Sequence, residues 1–499
     1  MHMQSSNPRT RRSFLSAAVG GAGSLALAPW SPAFGAQPPG VTDLIIFLPG
    51  IMGSVLQQNH KDVWAVSPES IIGTLATLGQ NLQGLALKDD PQDVEDLGDG
   101  VVATGLFPDV HLIPGLWKID GYSGVRAALG QALKLDDARN YIEFAYDWRR
   151  DNRVAARKLA RLVPAWLDQW KKISGHDSAK VVFIAHSMGG LVARYYLECL
   201  EGWRHARKLI SIGTPYRGSL NALDFLSNGY TKKFAGFNIV DLSALVRSFT
   251  SVYQLMPVYP CVDPDDGGDW RSPWEMNDLP HIAPAKAKAA RAFHKEMEDA
   301  LRANAGSKEY QSYPVQAIVG TDQPTKQSAR VDGGRLVFSN ELKEQDDGGD
   351  GTVPSPSAIP FGAKKEDNEE FFDKSFGVSG IHGSLQNLPQ VKHQISHLLS
   401  HPDFSRYGLR GEPPISLHVD DAYQAGEPVK ISCDTRSLRE ASTLKVEDVA
   451  TGKRFFNREL APESDQPITV ENLPVGTYRA TLQIQNTTRS ISDVFLVSR

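Results

Sequence analysis

Cysteine is scarce in this chain, with three among 499 residues, Cys199, Cys261 and Cys433. An odd count leaves at least one thiol unpaired, and no spacing among the three resembles a metal site or a disulfide framework. Cys199 sits in a helical pattern, where a small buried apolar role is expected. An excess of one charge is also missing. Lys and Arg number 53 against 58 Asp and Glu, a formal charge of -5, which argues against a nucleic-acid surface and leaves no polybasic patch for a membrane. Beyond the N-terminus no apolar run approaches the length of a membrane span. What is present is ordinary: 9% aromatic, 22% charged, and a length that exceeds one domain and suits two, each able to bury a core.

The N-terminus departs from that background. In "TRRSFLSAAVGGAGSLALA" the pair Arg11 and Arg12 precedes Phe14, Leu15 and a mildly apolar Gly/Ala stretch. This resembles a bacterial twin-arginine export signal, with cleavage expected near Gly35 or Ala36 and a leader over 1–36. A membrane anchor fits less well, because the stretch is short, rich in Gly and Ala, and interrupted by Pro29 and Pro32. The mature protein is accordingly expected to be soluble and periplasmic or secreted.

Strand-like runs follow at 43–49 (DLIIFLP), 141–148 (YIEFAYDW), 180–186 (KVVFIAH), 208–215 (KLISIGTP) and 313–321 (YPVQAIVGT). Helical patterns separate several of them, at 122–133, at 154–174 with Pro164 as a kink, and from Met188 to Leu200. Such alternation predicts an α/β class with a mostly parallel sheet and helices on both faces, a catalytic body over 37–405. Residues 51–121 and 216–310 are long for βα connections and carry scattered aromatics. They read as cap insertions over a site at the functional edge of the sheet, with simple packed insertions as the alternative. After about Asp403 the texture changes to short alternating segments between turn residues, which predicts a small all-β, immunoglobulin-like sandwich over 412–499. It carries no catalytic constellation.

In "KVVFIAHSMGGLVARYYLECL" (180–200) a serine stands between a buried strand and a helix. Ala185, Gly189 and Gly190 keep bulk away from the bend, so a strained turn can hold the Ser187 hydroxyl outward, in the manner of a G-x-S-x-G nucleophile elbow with Ala185 at the first glycine. A hydroxyl needs a base, an acid that orients the base, and two N–H donors for the oxyanion. In "DDGGDGTVP" (346–354) Asp350 lies between two glycines and is the candidate acid. Asp346 and Asp347 read as an acidic surface loop, and the cluster lacks the full ligand ladder of a calcium site. In "GVSGIHGSLQN" His382 occupies a loop ahead of a helix and is the candidate base; its rivals His393, His397 and His401 fall in or just beyond that helix. The backbone N–H groups of Met188 and of Ile51, in "FLPGIMGS", are the candidate oxyanion donors. His186 reads as a packing or supporting residue.

Taken in order, "FLPGIMGS", "YDWRRDNR", "AHSMGG", "IGTPYRGS", "GDGTVP" and "HGSL" resemble the lecithin:cholesterol acyltransferases and the related lysosomal phospholipase A2, within the α/β-hydrolase superfamily. The resemblance spans roughly residues 43–400. It implies Ser187 as nucleophile, Asp350 as acid and His382 as base, Ile51 and Met188 as oxyanion donors, and lipid acyl esters as substrates, by hydrolysis or by transfer to an alcohol. No metal or organic cofactor is required, and a transient contact with a lipid surface is compatible with it. The chain departs from the family in its leader, its insertions and its added β module. Asp147, Trp148 and Arg149 match the family's Y-D-W-R element, yet an ion-paired turn explains them equally well. Three activities are therefore in view: a serine esterase or lipase acting on a bulky apolar ester, an acyltransferase, and an exported binding protein on a hydrolase scaffold.

Overall fold

A computed structural model describes residues 41–498, apart from 65–83, 114–116, 134, 136–139, 235–236, 265–266, 365–366, 368–370, 372–373, 401–413 and 464–466. The expected leader over 1–36 and its cleavage site lie outside the described residues.

Six parallel strands form the main sheet: β1 (Leu44–Leu48), β2 (Tyr141–Glu143), β3 (Val181–His186), β4 (Ala206–Ile212), β5 (Val315–Thr321) and β6 (Phe376–Ser379). Their order across the sheet is β6-β5-β4-β3-β1-β2. Strands β1 and β3 are buried along their whole length, which is why their sequences are apolar runs and do not alternate. The two faces can still be told apart. Leu44, Ile46, Leu48, Val181 and Phe183 enter one core, while Ile45, Phe47, Val182 and Ile184 enter the other, as the period of two requires.

Helices cover each face. On the first side lie α2 (Asn152–Ser174) and α3 (Met188–Cys199), burying Leu159, Val163, Leu191 and Val192. On the second lie α1 (Ser123–Leu133) and α8 (Pro389–Ser400), burying Val125, Leu129, Val391 and Ile395. The Asp151 carboxylate caps α2 by accepting from the Arg153 N–H at 2.8 Å, and Gly175 ends it in the left-handed region at φ 71°. The helix runs from Asn152 to Ser174 with Pro164 inside it.

The chain runs from β1 outward to β2, then returns to place β3 on the opposite side of β1. Loops leaving the carboxyl ends of β1 and β3 therefore diverge and open a crevice, the usual ligand position in such a sheet. Between β4 and β5 the second insertion folds into α4 (Leu220–Ser227), α5 (Ser243–Ser248), α6 (Thr250–Gln254) and the long α7 (Pro284–Ala305). The Phe293 ring of α7 stacks on Tyr195 of α3 at 5.3 Å between centroids.

The C-terminal module has its own core and two sheets. Strands β7 (Ser416–Val419), β9 (Val429–Asp434) and β12 (Ile468–Val470) form one. The other runs β8-β14-β13-β10-β11, from β8 (Ala422–Gln424), β10 (Ser442–Asp448), β11 (Arg454–Leu460), β13 (Gly476–Ile484) and β14 (Ser490–Ser498). No helix among the described residues is long and apolar enough to cross a membrane.

Candidate active site

Ser187 stands at the turn between β3 and α3 with φ 52° and ψ -127°, a conformation that costs an L residue on the order of 1–3 kcal/mol and persists only where the surroundings enforce it. They do so here. The Ser187 N–H donates to Ile212 O at 2.8 Å. A Cβ on Gly189 would meet Pro49 O at 2.5 Å, and one on Gly190 would meet Thr214 Oγ1 at 2.0 Å. The bend is thus wedged between the loops after β1 and β4, and only glycine fits at either place.

Asp350 and His382 arrive from loops after β5 and β6. Asp350 Oδ1 accepts from the Thr352 and Val353 N–H groups at 3.0 and 2.7 Å. Two backbone donors thereby fix one carboxylate oxygen and turn the other, Oδ2, to His382 Nδ1 at 2.7 Å. The His382 N–H also donates to Asp350 O at 2.9 Å. On the far side of the ring, Nε2 lies 2.8 Å from Ser187 Oγ. All three side chains are nearly fully buried. The three residues singled out in the sequence, from positions 187, 350 and 382, thus meet in one hydrogen-bonded line.

A second line runs behind the first. The Gly50 N–H donates to the Tyr122 hydroxyl at 2.9 Å, that hydroxyl lies 3.1 Å from His186 Nδ1, and His186 Nε2 lies 3.0 Å from His382 O. A carbonyl only accepts, so Nε2 carries the proton and Nδ1 accepts from Tyr122. This chain needs a neutral imidazole. Burial, aided by the neighbouring His382, pushes the His186 pKa down to about 3, so the ring is neutral across the ordinary pH range. The supporting role read for His186 is therefore specific, since it joins the loop after β1 to the loop bearing the base. Tyr122 escaped the sequence reading because it sits at the start of α1, 64 residues from His186, with no pattern to mark it.

The oxyanion candidates sit at the two edges of the crevice. Met188 opens α3, so its N–H has no carbonyl one turn earlier to bond. The Gly50 N–H is occupied by Tyr122, and Ile51, the next residue on the loop after β1, borders the same pocket as Ser187 and His382.

That pocket is narrow, with a cavity volume of about 50 Å³. Its apolar wall is Ile51, Met52, Ala222, Phe225, Val246, Val252 and Leu255, mostly from α4 to α6 of the second insertion. Of the first insertion, only Ile51 and Met52 border it among the described residues. Much of the rest of that insertion is held by the Y-D-W-R element. The buried Arg149 guanidinium bonds Asp147 at 2.6 Å, Asp99 at 2.9 Å and Leu85 O at 3.1 Å, and Trp148 Nε1 donates to Ser54 O at 3.1 Å. These contacts make it an ion-paired structural clamp away from the reacting atoms.

Cys199, Cys261 and Cys433 are free thiols. Burial pushes Cys199 and Cys433 up to about 12 and raises Cys261 as well, which holds all three in the unreactive form. No cluster of metal-ligating side chains occurs among the described residues.

A doubly wound parallel sheet with a strained serine elbow after its central strand, and an acid and a histidine on later loops, defines an α/β-hydrolase. Within that class, residues 134–329 are similar to the family model described as lecithin:cholesterol acyltransferase. An uncharacterised Saccharomyces cerevisiae protein, YJR098C, is 26% identical over 174 residues, which cover 34% of this chain and 23% of that protein. The chain thus spans about a quarter of the length of that curated relative. Among solved structures, the Tle4–Tli4 complex is similar at TM-score 0.47 and 15% identity, covering 73% of this chain and 99% of the matched one. The mature Bacillus licheniformis lipase BlEst2 is similar at TM-score 0.32 and 12% identity, covering 74% and 96%.

Proposed function

We propose that the protein is an exported serine hydrolase that cleaves carboxylic esters with a bulky apolar acyl portion, such as lipids, through an acyl-enzyme on Ser187. The observation that carries this reading is the unbroken line from Asp350 Oδ2 through His382 to Ser187 Oγ, at 2.7 and 2.8 Å, at the mouth of an apolar pocket.

Ser187 Oγ attacks the ester carbonyl carbon while its proton passes to His382 Nε2, and Asp350 stabilises the imidazolium. The Ile51 and Met188 N–H groups hold the negative oxygen of the tetrahedral adduct. The C–O bond to the alcohol then breaks, Nε2–H protonates the departing oxygen, and Ser187 is left acylated. Water, activated by the same nitrogen, attacks the acyl carbon and releases the acid and the free serine. An acceptor alcohol in place of water gives acyl transfer, the second reading, which the family match favours. Export rests on the twin-arginine pattern at Arg11 and Arg12. The complete acid, base and nucleophile speak against a pure binding scaffold.

Initial rates on p-nitrophenyl esters of increasing acyl length, for the wild type and Ser187→Ala, test the reading. Turnover with a chain-length optimum is expected in the wild type, with a loss of about 10⁴-fold or more in the variant. Serine-independent turnover, or none on any ester by a folded protein, contradicts it. Addition of glycerol or a long-chain alcohol separates the two reactions, since transfer yields a new ester where hydrolysis yields acid.

A further inference from the structure

We propose that a second pocket, walled on one side by the C-terminal β module, is the subsite for the alcohol portion of the ester, and that it selects bulky neutral or cationic alcohols over anionic ones. This rests on the ester-cleaving role proposed above and extends it to the substrate's other half.

An ester carbonyl on Ser187 has two arms. One has the apolar pocket under α4 to α6. The other must pass His382, because Nε2 hands its proton to the departing alcohol oxygen. Beyond His382 lies a second pocket of about 480 Å³, which shares Asn221, Phe225, Thr352 and His382 with the first. Ser187 borders only the first pocket, whereas Leu417, His418, Asp421 and Asp493 of the β module border only the second. The β module, for which the sequence offered no catalytic part, therefore closes the space next to the departing group.

The lining indicates what the space accepts. Phe225, Ile381 and Leu417 offer an apolar edge. The charged groups that border the space are Lys118, held by Asp493 at 2.7 Å and Asp421 at 3.0 Å, and Asp350, whose carboxylate is engaged by His382. Three carboxylates and one paired ammonium border the pocket, so among the described residues its wall has no uncompensated cation to receive an anion. An alcohol with an apolar stem and a neutral or positively charged group fits both features, and with the acyl pocket this makes the substrate an amphiphilic ester.

His418 lies on β7 with its side chain largely exposed at the rim, outside the hydrogen-bonded lines of the triad, and is the place to perturb. Kinetics of the full chain and of His418→Trp and His418→Ala are measured on butanoyl esters of methanol, 1-naphthol, choline and an anionic naphthol sulfonate. The tryptophan variant should raise KM for the naphthyl and choline esters about 10-fold and leave the methyl ester within about twofold, the scale at which a pocket resolves steric differences. The alanine variant should keep bulky-alcohol turnover, and the wild type should disfavour the sulfonate. An equal loss on every ester, a shift of the acyl-length optimum, or a preference for the sulfonate overturns the subsite. If the wild type cleaves the esters and the His418 variants do not discriminate by alcohol, the subsite alone falls. If the wild type cleaves none and Ser187 resists an acylating probe, the parent reading falls with it.

Discussion

At the scale of single residues, the site is two hydrogen-bonded lines sharing His382, and only the first was legible. Ser187, Asp350 and His382 announce themselves through small neighbours and chain order, whereas Tyr122 is an aromatic at a helix start like many others. Its removal is a sharp test. Tyr122→Phe leaves the Gly50 N–H and His186 Nδ1 without their partner, which should cost about 1–3 kcal/mol in urea unfolding. Because the same residue braces the oxyanion loop against the base loop, kcat should fall more than KM rises. A fall in stability with unchanged kcat would reduce the line to packing. A second residue-scale prediction concerns acid. His294 is buried on α7, its Nε2 lies 2.7 Å from Gln254 O, and burial lowers its pKa to about 4. A folded pKa below the unfolded value means that the native state resists protonation, so the stability is complete above about pH 6.5 and declines as pH falls toward 4. His294→Gln should remove up to about 1.4 kcal/mol per pH unit of that slope, read from urea midpoints at pH 7 and pH 5. An unchanged slope would place the acid sensitivity elsewhere.

At the scale of elements, five of the six core strands were visible as largely apolar runs, most plainly β1 and β3, which are buried along their whole length. The sixth, β6, is only Phe376–Ser379 with a glycine inside it, too short to mark itself. In the β module, β11 (RFFNREL) escaped because it is an edge strand exposed along much of its length, so no alternation survives. The elbow was legible because its demand is steric. That demand also gives a prediction: in Gly190→Ala the new methyl would collide with Thr214, and an overpacked core of this kind loses about 1–3 kcal/mol. Thermal unfolding should show the loss, and esterase activity should drop with it because Ser187 is displaced. Full stability and activity in the variant would mean that the wedge after β4 does not hold the elbow.

At the scale of the whole molecule, the C-terminal module is tied to the catalytic loops at two places. The Gln323 side-chain amide donates to Ile415 O at 3.1 Å beside the acid loop, where Gln323 N–H donates to Gly349 O at 3.0 Å. On the other side, Lys118 bonds Asp493 and Asp421, Arg479 bonds Asp120, and the Asp120 N–H donates to Gly383 O at 2.8 Å, next to the base. Neither tie could be read from the sequence, since each joins residues more than 90 positions apart through single side chains. Lys118→Met should leave Asp493 buried without its cation, costing about 3 kcal/mol or more at pH 7.5. Burial already raises the Asp493 pKa against the opposing pull of Lys118, so the deficit should shrink at acidic pH as the carboxyl takes up a proton. A deficit that grows on acidification would contradict the tie. All of this serves one claim, that Ser187 is an activated nucleophile. Intact-mass analysis after treatment with a fluorophosphonate tests it most directly: one adduct on the wild type, mapped to Ser187, none on Ser187→Ala and a greatly slowed one on His382→Ala is the predicted result, and no adduct, or one on another residue, contradicts the account.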